Sequence, residues 1–138
     1  MSNKKAVGLF SATIRENGGE PLSLPAKQIV FSVKEYELIV GGFARDDFPV
    51  GWGVQLGIYD GEIKPGSYAF DNGRRVGGFY NPRDPDSSWI GQEQSGNITL
   101  IEVDLEKKFV RGTYQFIAVS SHDPQKSAEI EGSFSLTE

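Results

Sequence analysis

The chain has 138 residues, no cysteine and a formal net charge of −5 at pH 7. This length fits one domain of about 100–150 residues, so we expect a single β domain over residues 1–138. The missing cysteine excludes disulfides, thiolate catalysis and thiolate metal sites. The acidic charge argues against nucleic acid or an anionic membrane surface as a partner. No apolar run approaches the roughly 18 residues of a membrane span.

The first forty residues alternate between apolar and polar side chains, which predicts strands. Phe10, Ala12 and Ile14 share one face of the first strand. Asn-Gly-Gly at 17–19 predicts a hairpin turn, because these residues tolerate positive φ. Two prolines bracket the next piece, which is typical of a short or edge strand. The predicted strands cover residues 9–15, 22–24, 29–33 and 36–40.

The strand predicted over residues 52–58 has the most regular pattern in the chain. Trp52, Val54, Leu56 and Ile58 alternate with glycines and Gln55. The glycines therefore lie on the face opposite the apolar side chains. This predicts that the glycine face is either bare backbone or closely covered by something else.

Residues 71–97 are poor in aliphatic side chains and contain two prolines. A structureless connection of this length is uncommon inside a compact domain and is often functional. We expect a long polar loop region over 71–97. A short strand at 76–80 would reduce it to roughly fifteen residues.

The last third of the chain returns to regular alternation, with strands predicted over residues 98–103, 110–118 and 130–136. In the first of these, Ile98 and Leu100 face one way, and Thr99, Ile101 and Val103 face the other. No long window has a helical period. The short connections favour antiparallel neighbours. The whole chain predicts a single antiparallel β-sandwich or flattened β-barrel of about 8–10 strands with little helix.

Three stretches share one pattern: glycine, a small hydroxyl residue, an aromatic, a variable residue and a large apolar residue. They cover residues 66–70, 112–116 and 132–136. Their uneven spacing excludes a repeat array. The pattern predicts one recurring way of seating Tyr68, Tyr114 and Phe134 in a common core, with each glycine permitting a bulge or bend.

Arginine and aromatic residues are concentrated in the 71–95 segment, and binding surfaces favour these residue types. An alternative interpretation is that Tyr80 and Trp89 fix the segment to the core while the arginines are solvated. We interpret the chain as a non-enzymatic binding module with its partner surface on residues 71–95. The candidate binding residues are Arg74, Arg75, Tyr80, Arg83 and Trp89.

Catalytic and cofactor motifs are weak in this sequence. His122 is the only histidine, and its neighbours Ser121 and Asp123 cannot form a triad with it, because a triad is assembled from distant segments. The acidic pairs lack the spacing of a calcium loop, and no Walker, dinucleotide or zinc motif occurs. We expect no catalytic residue, no metal and no cofactor. Two alternatives stay open: a lipocalin-like carrier of a small apolar ligand and, least favoured, a carboxylate-based hydrolase.

Several short motifs follow one another along the chain in a characteristic order. A first strand leads to Asn-Gly at 17–18, and a middle strand at 54–58 leads to Gly-Ser-Tyr at 66–68. The end carries Gly-Asn-Ile-Thr-Leu at 96–100, Gly-Thr-Tyr-Gln-Phe at 112–116 and Ile-Glu-Gly-Ser-Phe at 130–134. This order resembles a family of small bacterial lipoproteins of unknown function. The resemblance implies an all-β fold and assigns no catalytic residue.

The chain departs from that family in having neither its signal peptide nor its lipidated cysteine. The first residues carry the charges of a signal peptide but lack its apolar region. We therefore expect a cytoplasmic location as the sequence stands, and an envelope or secreted one if a leader was removed. The expected partner is an unknown protein or small molecule, and the expected state is a monomer or homodimer.

Overall fold

A computed structural model describes residues 6–44, 51–71, 75–83 and 88–138 of the protein. These residues form one curled antiparallel sheet, which confirms the predicted all-β class. No described residue lies in a helix, so none belongs to a helix able to cross a membrane. The eleven strands are β1 (Val7–Glu16), β2 (Leu22–Ser23), β3 (Gln28–Lys34), β4 (Glu37–Phe43), β5 (Gly53–Ile58), β6 (Gly66–Ala69), β7 (Val76–Asn81), β8 (Trp89–Gly91), β9 (Asn97–Asp104), β10 (Phe109–Ser120) and β11 (Ser127–Thr137).

The strand order across the sheet is β2-β1-β11-β10-β8-β7-β5-β4-β3. Strand β10 has two partners along one edge, with β9 beside its first half and β8 beside its end. Strand β9 pairs in turn with β6, so these two strands form a branch of the sheet.

The curl brings distant strands of this order together. Gly42 of β4 lies against the Phe10 ring of β1, so close that a Cβ there would be 2.6 Å from Cδ1 of that ring. On another side, the Lys108 Nζ in the β9–β10 turn donates to the Val33 carbonyl of β3 at 3.2 Å. The sheet therefore encloses its own apolar core in the manner of a half-barrel.

Aromatic rings fill a large part of this core. The rings of Phe70 and Phe116 stack with centroids 4.9 Å apart, and Phe10 stacks on Tyr114 at 5.6 Å. Tyr114 also stacks on Phe134, at 6.5 Å. Burying each such ring contributes on the order of 1.5–3 kcal/mol. The alternation predicted for β1, β10 and β11 follows from this burial of one face.

The glycine–aromatic pattern at 112–116 and 132–136 has a cross-strand cause. In the β10–β11 register, Gly112 lies opposite Phe134, and Tyr114 lies opposite Gly132. Each ring occupies space that a side chain on the opposite glycine would take, since a Cβ at Gly112 would be 3.0 Å from Cζ of Phe134. Tyr114 and Phe134 are thus in one core, as predicted.

The pattern at 66–70 plays a different part from the other two. Tyr68 is half-buried and packs against the edge of the core. Its hydroxyl donates to the carbonyl of Glu62 at 2.6 Å and accepts from the amide of Lys64 at 3.0 Å. Tyr68 therefore stabilises the turn that precedes β6 through hydrogen bonds to its backbone.

A β-bulge changes the faces of β9. Arg111 pairs with Glu102, but the next residue, Gly112, pairs with Leu100, which leaves Ile101 as the extra residue. Beyond the bulge, Val103 lies opposite the buried Val110 and packs against the core. The prediction that Val103 shares a face with Thr99 is wrong, because one extra residue reverses the alternation.

Two strands lie inside residues 71–97, where the sequence predicts a long polar loop. Strand β7 matches the short strand expected at 76–80, and β8 was not expected. Strand β8 has only three residues and follows two prolines, so it shows no alternation of useful length. Its pairing with β7 on one edge and β10 on the other holds it in place.

The glycine face of β5 is closely covered. The Phe43 ring lies over Gly53, where a Cβ would be 2.1 Å from Cδ2 of that ring, and the Tyr59 ring lies over Gly57. The sequence allows this face to be either bare backbone or closely covered, and in the structure it is covered. The glycines give the flanking rings room to lie against the backbone.

Candidate functional site

Two of the five candidate binding residues are in the core. Tyr80 is 0% exposed and Trp89 is 3% exposed, and their rings meet edge to face with centroids 5.6 Å apart. The Tyr80 hydroxyl donates to Glu16 Oε2 at 2.5 Å and accepts from Trp52 Nε1 at 3.0 Å. Burial, and then the hydrogen bond to Glu16, raises the pKa of Tyr80 well above its ordinary value of 10. The phenol therefore stays a donor that links β7 to β1.

The described arginines of that set lie apart at the surface. Arg75 is exposed, and its Nε donates to the carbonyl of Asp60 at 3.3 Å. Arg83 is exposed and holds its guanidinium 5.0 Å from the centre of the Trp52 ring, a cation–π contact. Arg74 lies outside the described residues. The four described candidates are thus divided between core and surface and do not form one exposed patch.

A groove runs over the outer face of the sheet, across β1, β11, β10 and β9. It consists of two adjoining hollows of about 570 and about 630 Å³, which share Thr13, Gln115 and Glu131. Both volumes lie within the range of about 300–1,000 Å³ that is usual for small-ligand sites. We call this the outer groove.

The strand register builds the outer groove from two rows of side chains. Residues opposite each other in neighbouring strands share a face and lie about 4.8 Å apart across the sheet. The first row, which we call the amide row, is Thr13, Glu131, Gln115 and Asn97. The second, the hydroxyl row, is Ser11, Ser133, Thr113, Thr99 and Ser67.

Hydrogen bonds within the hydroxyl row occur at its two ends. Ser11 Oγ lies 3.2 Å from Ser133 Oγ and also accepts from the Ser133 amide at 3.1 Å. Thr99 Oγ1 donates to Ser67 Oγ at 3.4 Å. The middle hydroxyl, on Thr113, has no side-chain partner within the described part of the chain. It therefore faces the groove with its donor and acceptor capacity unused.

The amide row is equally open. Among the described residues, its four side chains form no hydrogen bond or ion pair with the protein. The same holds for Arg15 and Glu129 at the end of the groove, where they lie opposite each other in β1 and β11. A ligand in the groove would meet hydroxyl, amide, carboxylate and guanidinium groups that are not engaged elsewhere.

The walls of the groove come from two turns. Pro21, in the connection between β1 and β2, lines one end. Ser95, just before β9, lines the other side, with its hydroxyl donating to the carbonyl of Gln92 at 2.7 Å and accepting from the amide of Ile117 at 3.1 Å. These bonds fix the turn beside β10. Because Ile117 belongs to β10, this side of the groove is attached directly to the sheet.

The outer groove is not predicted from the sequence, although the positions of the threonines carry one signal of it. The chain has only four threonines, Thr13, Thr99, Thr113 and Thr137, and the register places all of them on this one outer face. Alternation predicts which side each occupies within its own strand, but it does not predict which strands become neighbours. Within the described ranges, no group of three or more His, Cys, Asp or Glu side chains could hold a metal ion. No protein-family model, curated protein or solved structure matches this chain.

Proposed function

We propose that this protein is a non-enzymatic binding module and that its ligand lies in the outer groove. The observation that carries the proposal is the convergence of unengaged polar side chains from four paired strands on one open groove. Strands β10 and β11 each have partners on both edges, so the groups they present are on rigid elements. Rigid placement lowers the entropy cost of binding.

This proposal moves the partner surface away from residues 71–95. Tyr80 and Trp89 are too deeply buried to touch a partner. Arg75 and Arg83 are exposed, but one is engaged with a turn carbonyl and the other with the Trp52 ring. The cytoplasmic location, the choice between monomer and homodimer, and the absence of nucleic acid among its partners stay predictions.

A carrier of apolar ligands is less well supported than a groove binder. The inward rings stack at 4.9–6.5 Å and occupy the middle of the curled sheet. Both hollows lie outside the sheet. Polar groups dominate the lining of the second, whereas the first is lined by polar side chains together with Pro21 and Ile117.

A carboxylate-based hydrolase is the second candidate, on one specific observation. Glu129 and Glu131 both line the first hollow and lie two residues apart on the same face of β11. Their Cα atoms are therefore about 7 Å apart, so rotation of the two side chains can bring the carboxyl groups to the separation of about 5–9.5 Å that glycoside-hydrolysing pairs have. Turnover of a glycoside that is lost in both Glu129→Gln and Glu131→Gln would favour the hydrolase over the binding module.

The test of the binding module uses amide chemical shifts of the full chain, labelled with ¹⁵N. The protein is titrated with fractions of an extract of the cells that produce it: small molecules, polysaccharides and proteins. We expect one fraction to shift amides around residues 97–99, 113–115 and 131–133. Thr113→Trp fills the groove and should abolish these shifts, whereas Thr137→Trp, on the same face outside the groove, should keep them.

Two outcomes would contradict a binding module whose ligand lies in the outer groove. One is a set of shifts centred on residues 75–90 that persists in Thr113→Trp. The other is the absence of any shift with all three fractions, while both variants keep the unfolding temperature of the unaltered protein.

A further inference from the structure

We infer that the ligand of the outer groove is a neutral oligosaccharide that runs across the strands. This inference rests on the proposed function and adds the chemical class of the ligand. It is carried by the kinds of polar group in the groove, by their charge, and by the direction of the two rows.

The groove offers donors and acceptors side by side. Hydroxyls of Thr13 and Thr113 can each donate and accept, and the amides of Gln115 and Asn97 each carry two donors beside an acceptor. A ligand that satisfies such a mixed array must itself combine donors and acceptors at short intervals. The vicinal hydroxyl groups of a sugar have this property, since each of them both donates and accepts.

The charges of the groove select against anionic ligands. Glu129 and Glu131 give it two carboxylates against the single guanidinium of Arg15. Anions such as phosphate or a sulfated glycan would be repelled by the carboxylates and by the chain's net charge of −5. The carboxylates can accept from sugar hydroxyls, and Arg15 can donate to them.

An extended peptide fits the groove less well than a sugar chain. Peptides that bind sheets add as a strand at an open edge. The central strands of the groove have no open edge, because β11 lies between β1 and β10, and β10 lies between β11 and β9. An apolar ligand would have to desolvate these polar groups without replacing their hydrogen bonds, which is costly.

The direction and length of the groove favour a chain of several sugars. The rows run across the strands, so successive polar groups recur about every 4.8 Å. The two hollows adjoin at Thr13, Gln115 and Glu131, so one elongated ligand can occupy both.

The experiment titrates the full chain with neutral hexasaccharides of glucose, xylose, mannose and N-acetylglucosamine, in parallel with heparin. Binding is measured by amide shifts and calorimetry. At least one neutral hexasaccharide should shift amides of the amide and hydroxyl rows, and heparin should not. The double variant Thr113→Val, Gln115→Leu keeps side-chain size and removes two polar partners, so its Kd should rise on the order of tenfold. The control Thr137→Val should bind within about twofold of the unaltered protein.

The possible failures separate the two proposals. If none of the hexasaccharides binds, but an extract protein or heparin shifts the groove amides, the inference is overturned and the proposed function stands. If a hexasaccharide shifts only amides outside the groove, or binds the double variant as tightly as the unaltered protein, both are overturned. A hexasaccharide that shifts groove amides, and that binds the unaltered protein and Thr137→Val about tenfold more tightly than the double variant, supports both.

Discussion

Tyr114 lies directly opposite Gly132, and its hydroxyl passes over this glycine to donate to the carbonyl oxygen of Ser11 at 2.8 Å. Tyr114 is on β10, Gly132 on β11 and Ser11 on β1, so one side chain joins three neighbouring strands. A Cβ at position 132 would be 1.9 Å from the Ser11 oxygen and 2.7 Å from the Tyr114 hydroxyl. The glycine is therefore required by its neighbours in space.

Gly132→Ala should lower the free energy of unfolding, because the added methyl group collides with a backbone oxygen that cannot move far. We expect a loss of about 1–3 kcal/mol, the usual range for overpacking. Urea unfolding followed by tryptophan fluorescence measures it. Gly61→Ala is the matched control, since its Cβ would be 3.5 Å from the nearest atom and should change stability by less than about 0.5 kcal/mol. Equal stability of both variants would contradict this account of Gly132.

Tyr114→Phe removes the hydrogen bond to Ser11 and keeps the ring stacking. The expected loss of unfolding free energy is about 1–2 kcal/mol, because a part-buried hydrogen bond to the Ser11 carbonyl oxygen is lost. Tyr36→Phe serves as the control, since Tyr36 is 57% exposed. A loss that is the same in both variants would show that the Tyr114 hydroxyl contributes nothing.

The stability of the protein should fall at alkaline pH, mainly because of the two tyrosines whose pKa is raised most, Tyr80 and Tyr114. Burial raises the pKa of Tyr114 and of Tyr80 above the ordinary value of 10. Above pH 10 the unfolded chain loses these phenolic protons while the folded chain keeps them. The rise in pH therefore favours the unfolded state. Each such group lowers the unfolding free energy by about 1.4 kcal/mol per pH unit above 10.

Urea unfolding between pH 8 and pH 11 checks this pH dependence. Tyr80→Phe should have a shallower decline above pH 10 than the unaltered protein and the same trend below it. Tyr36→Phe provides the comparison for an exposed tyrosine, whose pKa is raised mainly by the charge of its sequence neighbour Glu35 and not mainly by burial. A decline with the same slope in Tyr80→Phe would mean that the phenol of Tyr80 ionises equally in both states.

Truncation of Trp89 should lower the unfolding free energy much more than truncation of Arg75. Trp89→Ala should lower the unfolding free energy by about 3–5 kcal/mol, because it empties a fully packed position. Arg75→Ala should cost less than about 1 kcal/mol, since its side chain is exposed. Thermal unfolding of the two single variants separates the packing role of Trp89 from a binding role.

Groove residues should be dispensable for folding. Thr113→Val keeps the β-branched shape that strands favour and removes only a hydroxyl that has no side-chain partner among the described residues. Its unfolding free energy should stay within about 0.5 kcal/mol of the unaltered protein. A loss above about 1 kcal/mol would assign the hydroxyl a structural role and weaken the proposed site.

Local alternation predicts the faces of the long strands because one face of each is buried. It succeeds for Phe10, Ala12 and Ile14, which all lie in the core. It fails at Val103, because a bulge depends on how two strands fit together. It makes no prediction at Trp89, because a three-residue strand is too short to show a period. The outer groove depends on which strands become neighbours, and the sequence does not carry this information in any local pattern.

The branch formed by β6 and β9 has a consequence for ligand binding. Among the described residues, β6 has β9 as its only strand partner, and β9 reaches the main sheet through one ladder with β10. One side of the outer groove, with Thr99 and Asn97, therefore lies on a branch that joins the main sheet through a single ladder. A ligand that contacts both Thr113 and Thr99 would hold the β6–β9 branch against β10. It should therefore slow hydrogen exchange of β6 amides that it does not contact.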